Sequence, residues 1–170
     1  MEVRRIRAHE GPCLRALRLR ALADAPAAFG SSLAEAQAHP QDYWDSLARE
    51  RASAQTSATF VVEENERWYG MVGCFIHRDH PDIVRLVSMW VDPTRRRSGA
   101  GTALVDAVVQ WACACGAKCV QLWVTHTNHT AKSLYAQTGF VETGHTKPLP
   151  SNTTLQEVLM VRALTVMEDE

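Results

Sequence analysis

The sequence predicts an α/β sandwich, in which helices pack on a mixed β-sheet. Apolar residues recur at helical spacing in the first third of the chain and at strand spacing from about residue 58. A glycine-containing loop then joins a strong strand to a strong helix, and a second strand–helix–strand succession follows. The length of 170 residues suits one domain, so we expect a single unit over residues 1–170.

The composition is that of an ordinary globular protein, with 46% hydrophobic and 22% charged residues. The formal net charge of −1 argues against a nucleic-acid partner. No apolar run reaches the length of a membrane span, and the charged start Met1–Arg7 is not followed by the apolar region of a signal peptide. We therefore expect a cytoplasmic protein with no membrane contact.

Five cysteines, an odd number, argue against a disulfide framework. Cys113, Cys115 and Cys119 lack a common zinc spacing, so we expect buried or half-buried free thiols. His126 and His129 would need further ligands to hold a metal, and none is evident. The sequence therefore predicts no metal site.

Local signals place the elements along the chain. Amphipathic helices are predicted over 13–23, 32–38 and 41–51, with a loop-rich stretch from 24 to 45. A hairpin and a long strand follow, and the strand ends where Asp92-Pro93 interrupts it. The remaining predicted elements are strands 58–63, 68–77, 83–91, 119–125, 140–143 and 155–164, a helix ending near Cys115, and a helix from Asn128 to Gln137. Strands 83–91 and 119–125, joined by a helix, should be parallel and linked by a right-handed crossover.

The segment that carries chemistry is Arg96-Arg97-Ser98-Gly99-Ala100-Gly101, which leads from strand 83–91 into the next helix. The glycines allow a tight turn and a close approach of the backbone to a ligand. At the start of a helix, free N–H groups and the dipole favour an anion, and arginines add charged donors. The loop is therefore predicted to hold a pyrophosphate mainly with its main chain.

Two nucleotide-binding motifs and one simpler interpretation compete with this prediction. The P-loop pattern is absent, and the dinucleotide pattern Gly-x-Gly-x-x-Gly fails because Leu104 occupies its third position. The arginines at 95–97 taken alone are typical of a solvated charge run. Their place before Gly-x-Gly and a helix favours contact with phosphate.

The run from Val91 to Gly101 resembles the acetyl-CoA signature of the GNAT superfamily of N-acetyltransferases, Arg/Gln-x-x-Gly-x-Gly/Ala, at Arg96, Gly99 and Gly101. The spacing of Asn128, Ala131, Tyr135 and Gly139-Phe140 resembles the second signature of that superfamily. The resemblance is specific over about residues 83–142. It implies a mixed, mostly antiparallel sheet of six to seven strands, flanked by helices and splayed between the fourth and fifth strands.

The resemblance also implies a site and acetyl-CoA as co-substrate. Strand residues near the splay would pair with the pantetheine, the loop amides would hold the pyrophosphate, and Asn128 would bond the pantetheine. The implied coenzyme contacts are Met89, Trp90, Val91, Arg96, Arg97, Ser98, Gly99, Ala100, Gly101, Thr102 and Asn128. Tyr135 would act as the catalytic acid that protonates the departing thiolate. A simpler alternative exists for each residue: Asn128 would be only a helix N-cap, and Tyr135 would be only a residue at the edge of the core.

The chemistry suits these roles. Direct aminolysis of a thioester in a ternary complex needs a neutral amine, a polarised carbonyl and a protonated leaving group. A tyrosine with a pKa near 10 donates to a thiolate with a pKa near 8.5. Many relatives carry a glutamate on the fourth strand, and strand 83–91 has no acid. The identity of the general base is therefore left open. The candidates that could act through water are Glu63, Glu64, Asp24 and His126, and Ser88 could position that water. Alternatively, the amine arrives already neutral and needs no base.

The resemblance implies an acceptor that is a primary amine of a small molecule or a protein. The resemblance implies that residues 24–45 and 145–154 shape its site, and neither stretch has the dense acidic cluster that a polycation needs. Seven aromatic residues favour an apolar or planar acceptor, although most such residues belong to the core: Phe29, Tyr43, Trp44, Trp68, Phe75, Trp90 and Trp123. A non-catalytic acyl-CoA-binding module is the alternative function, and the oligomeric state stays open, a homodimer included.

Overall fold

A computed structural model describes residues 1–165 as a seven-stranded sheet with helices on both faces. The helices are α1 (Gly11–Asp24), α2 (Leu33–Ala38), α3 (Gln41–Ser53), α4 (Ala100–Ala114) and α5 (His129–Gln137). The strands are β1 (Glu2–Arg5), β2 (Ser57–Glu64), β3 (Arg67–Ile76), β4 (Ile83–Val91), β5 (Cys119–Thr125), β6 (Val141–Leu149) and β7 (Asn152–Ala163). No helix in this part of the chain is long and apolar enough to cross a membrane.

The strand order is β1-β2-β3-β4-β5-β7-β6, and every neighbouring pair is antiparallel except β4–β5. These two parallel strands pair only between Ile83–Arg85 and Cys119–Gln121. Beyond those residues β4 and β5 separate, and the gap between them opens toward their carboxyl ends. The predicted mixed sheet with a splay after the fourth strand is therefore confirmed.

The two ends of the sheet differ from the predictions. Strand β1 was not predicted, because Glu2–Arg5 is charged and is held by pairing with residues Phe60–Glu63 of β2 rather than by an apolar stripe. The predicted loop 145–154 is largely strand, with β6 running to Leu149 through Pro148. Proline is tolerated there because β6 is the edge strand of the sheet.

Two apolar cores fill the sandwich. Helix α4 packs Leu104, Val105 and Val108 against one sheet face, where Tyr135 and Phe140 also lie. Helices α1–α3 cover the other face with a second cluster. Its fully or nearly fully buried side chains include Leu17, Leu22, Trp44, Met71 and Trp90. Helices α1–α3 therefore pack on one face of the sheet, and helices α4 and α5 pack on the other.

All five cysteines are free thiols. Cys115 and Cys119 are half-buried as predicted, but Cys113 is exposed, because it lies on the solvent face of α4. Burial raises the pKa of the Cys74 thiol to about 12, so this cysteine is inert at neutral pH.

An ion-pair network joins β1 to its neighbours. The Arg4 guanidinium donates to Glu10 at 2.7 Å and to Glu63 at 2.9 Å. Burial opposes ionisation of Glu10, but bonds from Arg4 and from the Arg7 N–H hold its pKa below the usual range. The hydrogen bond from Arg4 likewise lowers the pKa of Glu63. One arginine therefore ties β1 to both β2 and the start of α1.

We expect Arg4→Met to lower the free energy of unfolding by about 2 kcal/mol at neutral pH, because two carboxylates lose their shared cation. Both carboxyl pKa values are lower in the folded chain, so this stabilisation is present above their unfolded values and disappears as the pH falls below about 4. Denaturant unfolding at neutral pH and near pH 3 measures it. The exposed Arg78→Met is the control, and a difference that stays constant with pH would contradict this account.

Candidate functional site

The loop between β4 and α4 presents a run of free backbone donors. Within residues 1–165, the N–H groups of residues 97–102 have no hydrogen-bond acceptor, and Arg97, Ser98 and Gly99 are exposed. Gly99 forms the N-cap of α4 in the left-handed region at φ 87°, and Arg97 is also left-handed at φ 61°. These amides and the positive end of α4 form a place for an anion.

Two of the three loop arginines are already engaged. Arg95 pairs with Glu64 at 2.8 Å, and Arg96 donates to Asp24 at 2.6 Å and to the Val91 carbonyl at 2.9 Å. Only Arg97 has no ion pair within the described chain. Arg96 therefore anchors the loop to the end of β4, and its guanidinium is less available to phosphate than the sequence suggested.

The two loop glycines serve different purposes. A Cβ on Gly99 would meet nothing within 4 Å, so its positive φ is what favours glycine. A Cβ on Gly101 would lie 2.9 Å from Cδ2 of Leu134 on α5. Gly101 therefore allows α4 and α5 to pack closely, and its contact with a coenzyme is not required to explain it.

Strand β4 carries a bulge just before its end. Gly73 pairs with Val87 and Met71 with Trp90, so one β3 residue opposes two residues of β4, Ser88 and Met89. Ser88 has φ 56°, an uncommon value for a residue other than glycine. A bulge of this kind turns the strand and re-aims its groups, and such strain is concentrated at functional sites.

The gap between β4 and β5, which we call the splay cleft, has a volume of about 70 Å³. Met89 and Ser88 line it from β4, and Asn128 and Tyr135 line it from α5 and its N-cap. Its full lining is Ala28, Leu86, Val87, Ser88, Met89, Trp123, Val124, Thr125, Asn128, Ala131 and Tyr135. The structure thus brings three of the sequence-predicted residues, Met89, Asn128 and Tyr135, into one cleft.

Asn128 and Tyr135 each have a defined environment. The Asn128 side-chain oxygen accepts from the Ala131 N–H at 3.2 Å, so Asn128 is the helix N-cap and its amide N–H₂ is still available to donate. Tyr135 is 5% exposed and packs edge-on against Phe140. Burial raises the pKa of Tyr135, which keeps its hydroxyl protonated at neutral pH.

The remaining predicted strand residues lie at the end of β4. Trp90 is 5% exposed in the core beneath α1, and its indole N–H donates to Asp24 at 2.9 Å. Val91 uses its carbonyl to accept from Arg96. From Leu86 onward, β4 has no strand partner on the β5 side within the described residues, so this edge is open to an extended ligand.

The carboxylates proposed as bases are held in other interactions. A hydrogen bond from Trp90, supported by Arg96, lowers the pKa of Asp24. Glu63 is bonded to Arg4, and a hydrogen bond from Arg95 lowers the pKa of Glu64. His126 is exposed and lies 3.0 Å from the Gln156 carbonyl oxygen through Nδ1. Paired carboxylates with lowered pKa values are poor proton acceptors.

Sequence reasoning missed Glu157, because no local pattern distinguishes it within β7. Its Cα faces that of Thr125 across β5–β7, and Thr125 lines the splay cleft. Glu157 is 8% exposed, and burial raises its pKa, while Lys147 at 3.7 Å opposes the shift. It is therefore the carboxylate near the cleft with the pKa shift suited to a base.

A second hollow, which we call the helical cavity, lies beneath α1–α3 on the other side of β4 and has a volume of about 220 Å³. Val87 and Ser88 line both hollows. Of the seven aromatic residues considered for the acceptor, Tyr43 and Trp44 line this cavity and Trp123 lines the splay cleft. Of the two stretches expected to shape the acceptor site, 24–45 contributes lining residues to this cavity and 145–154 contributes none.

No metal site emerges from the described residues. Nowhere in residues 1–165 do three histidine, cysteine, aspartate or glutamate side chains come together as metal ligands would.

Comparisons with solved structures agree with this architecture. A GNAT-family acetyltransferase from Streptococcus pneumoniae is 20% identical with a TM-score of 0.79, covering 96% of this chain and 99% of that one. The yncA acetyltransferase of Salmonella typhimurium, described with its cofactor acetyl-CoA, is 18% identical with a TM-score of 0.79, covering 100% and 96%. At these identities the likeness shows the fold.

Sequence comparisons identify the family. The uncharacterized N-acetyltransferase YhfO of Bacillus subtilis is 30% identical over 58% of this chain and 68% of its own length. The uncharacterized N-acetyltransferase MJ1207 of Methanocaldococcus jannaschii is 32% identical over 49% of this chain, a match spanning only 38% of that relative. The model of the Acetyltransferase (GNAT) family matches residues 20–140. The chain therefore belongs to the GNAT acetyltransferase family, as the resemblance in its loop and in its fifth helix predicted.

Proposed function

We propose that the protein transfers an acetyl group from acetyl-CoA to a primary amine by direct attack in a ternary complex. The observation that carries the proposal is the run of unpaired amides at residues 97–102, which begins next to the open edge of β4. Diphosphate at the loop would extend the pantetheine along that edge toward the splay cleft. Membership of the GNAT family supports acetyl-CoA as the donor.

The proposal assigns a contact with the coenzyme to each part of the donor site. The amides of Arg97 to Thr102 would bind the pyrophosphate, with Arg97 adding a charged donor, while Arg96 acts mainly by holding the loop to Asp24. The pantetheine amides would pair with the β4 edge at Met89–Val91 as an added strand. Asn128 would donate through its free amide N–H₂.

The transfer step would proceed at the splay cleft. The amine nitrogen forms a bond to the thioester carbon, and a β4 amide stabilises the oxyanion. The C–S bond then breaks, and Tyr135 gives its hydroxyl proton to the departing thiolate. Burial raises the pKa of Tyr135, which makes it a weaker acid, and the same burial would disfavour the departing thiolate and so raise the pKa of the thiol in the same direction. Solvent returns the proton to tyrosine.

The proton lost by the amine needs an acceptor. We propose that Glu157 takes it through water, because the pKa values of Asp24, Glu63 and Glu64 are lowered by their hydrogen bonds, whereas burial raises the pKa of Glu157 in spite of its pairing with Lys147. Its strand neighbour Thr125 borders the cleft, and both lie on the sheet face where Thr125 donates to the Ala27 carbonyl. A buried acid and a base around one cleft favour catalysis over an acyl-CoA-binding module.

Two matched glycines at opposite ends of α4 test the donor site. Gly99→Glu and Gly116→Glu each force a side chain into a positive φ with open space around it, so each should lower stability by about 1–2 kcal/mol. Only Gly99→Glu places a negative charge at the amides, and it should weaken acetyl-CoA binding at least about 100-fold. Calorimetric titration measures this, and equal affinity in the two variants would remove the loop from the site.

The acid role is tested with Tyr135→Phe, which should lower kcat by about 100-fold while changing KM much less. The reason is that the hydroxyl acts on the leaving group and not on the bound thioester. Thiol release in the steady state gives both constants. Tyr69→Phe, which alters a tyrosine stacked on Arg95 outside the cleft, is the control. An unchanged kcat would show that Tyr135 is only a packing residue.

The base role gives a pH signature. Protonation of Glu157 should reduce kcat/KM as the pH falls through its pKa, which burial places above the usual carboxyl range. Glu157→Gln should lower kcat/KM by about 100-fold at neutral pH and lose that acidic limb. Glu142→Gln, on the neighbouring strand and paired with Lys132, is the matched control. Retention of the limb in Glu157→Gln would assign it to another group.

A further inference from the structure

The helical cavity is lined by two guanidinium side chains that have no carboxylate partner within residues 1–165. Arg18 reaches it from α1 and Arg51 from α3. The ion pairs found in the described structure include neither of them. An unpaired cation near a low-dielectric cavity is costly, and such groups are ordinarily paired.

Arg18 is the more constrained of the two. One of its nitrogens donates to the Ser31 hydroxyl at 3.0 Å, and its guanidinium lies 4.5 Å from the centre of the Phe29 ring. Another nitrogen is buried and has no partner. Burial lowers the pKa of Arg18 to about 10, which still leaves it charged at neutral pH. Ser31 and Phe29 offset part of the cost of burying this cation, but no carboxylate within residues 1–165 neutralises its charge.

Unsatisfied donors concentrate at this cavity. Among the described residues, five buried side-chain nitrogens lack a hydrogen-bond partner, and three belong to residues that line it, namely Arg18, Trp44 and Arg51. Trp44 is 3% exposed. Arg51 makes only a long bond of 3.5 Å to the Cys74 carbonyl. Buried polar groups are usually satisfied, so these unpartnered donors make the cavity a favourable place for an anion or another hydrogen-bond acceptor.

The one carboxylate in the cavity lining does not neutralise the two arginines. Glu35 is exposed and accepts from the Ser32 N–H at 3.2 Å, as the partner in the capping box of α2. His39 lines the same wall and stacks on Tyr43 with ring centres 3.8 Å apart. The lining therefore carries more positive than negative charge.

We propose that the helical cavity binds the anionic group of the acceptor, so that the substrate is a small primary amine that also carries a carboxylate or a phosphonate. The inference rests on the proposed acetyl transfer. Guanidinium groups match both anions with paired donors. At about 220 Å³ the cavity is smaller than the ~300–1,000 Å³ of pockets for drug-sized ligands, which favours a molecule of amino-acid size.

The position of the cavity fits this orientation of the substrate. Val87 and Ser88 form its border with the splay cleft, where the thioester would lie. An amine whose anionic end lies near Arg18 would therefore direct its nitrogen toward the bulge at Ser88. A second cation at the far end of the acceptor would meet two arginines and be repelled.

The test uses amines that differ only in their second group. Binding to the coenzyme A-loaded protein is measured by calorimetry for 4-aminobutyrate, 3-aminopropylphosphonate, 4-aminobutanamide and 1,4-diaminobutane, and for leucine against leucinamide. We expect at least one anionic amine to bind about tenfold or more tightly than its neutral counterpart and the diamine to bind least. The two anionic arms distinguish carboxylate from phosphonate.

Variants assign the preference to the cavity. Arg18→Met should reduce the ratio of affinities between an anionic amine and its neutral counterpart to near unity, and Arg18→Lys should keep part of this preference. Arg49→Met on the exposed face of α3 should leave it unchanged. Because the charge of Arg18 has no ion-pair partner, Arg18→Met should fold with a Tm no lower than that of the unmodified protein. If Arg18→Met does not fold, Arg51→Met takes its place in the binding measurements.

Three outcomes overturn the inference: amide or diamine binding as tight as that of the anions, a preference that survives both arginine variants, or no binding by any amine of the set at millimolar concentration. These outcomes differ from the outcome that would disprove the proposed acetyl transfer. If that proposal is wrong, a separate titration will show no binding of acetyl-CoA. If the protein binds acetyl-CoA but acetylates only neutral amines, the proposed acetyl transfer stands and only the inference of an anionic acceptor is contradicted.

Discussion

The separation of β4 from β5 is the constraint on which the rest of the site depends. The two strands pair over three residues and then diverge, which leaves the end of β4 without a neighbour on that side. The bulge at Ser88 turns the strand at this point, and the splay cleft and the helical cavity both reach it. A few residues later α4 begins with its amides free. The open edge of β4, the splay cleft and the helical cavity thus meet at one local break in the sheet.

Ion pairs determine which polar groups remain available at that break. Asp24 holds both the Trp90 indole and Arg96, which fixes the loop against the end of α1. Glu64 engages Arg95. These contacts make the loop rigid but leave mainly backbone N–H groups to meet an anion. Preorganised amides need no reorganisation when a ligand arrives, and they discriminate by geometry more than by net charge.

Local signals in the sequence predicted the elements around the loop at residues 97–102 and the splay cleft. Proline at 93, the positive-φ Gly99 and the capping Asn128 mark ends of elements by their own backbone chemistry, and β4, β5 and α4 have clear periodicity. Register and tertiary pairing were not predictable in this way. Strand β1 depends on Arg4 reaching Glu63, and the importance of Glu157 depends on its alignment with Thr125. The two arginines of the helical cavity likewise acquire meaning only when α1 and α3 pack together.

Residues in uncommon conformations separate into two groups. Within the described chain, four residues other than glycine have positive φ: Asn65, Glu66, Ser88 and Arg97. The first two form the tight turn of the β2–β3 hairpin, where that conformation is expected. Ser88 lies at the bulge of β4, and Arg97 lies in the turn over residues 96–99 that leads into α4. The unpaired charge of Arg18 lies on the same cavity as Ser88. The uncommon backbone conformation of Ser88 and the unpaired charge of Arg18 therefore occur at one cavity, and costly features of this kind concentrate at functional sites.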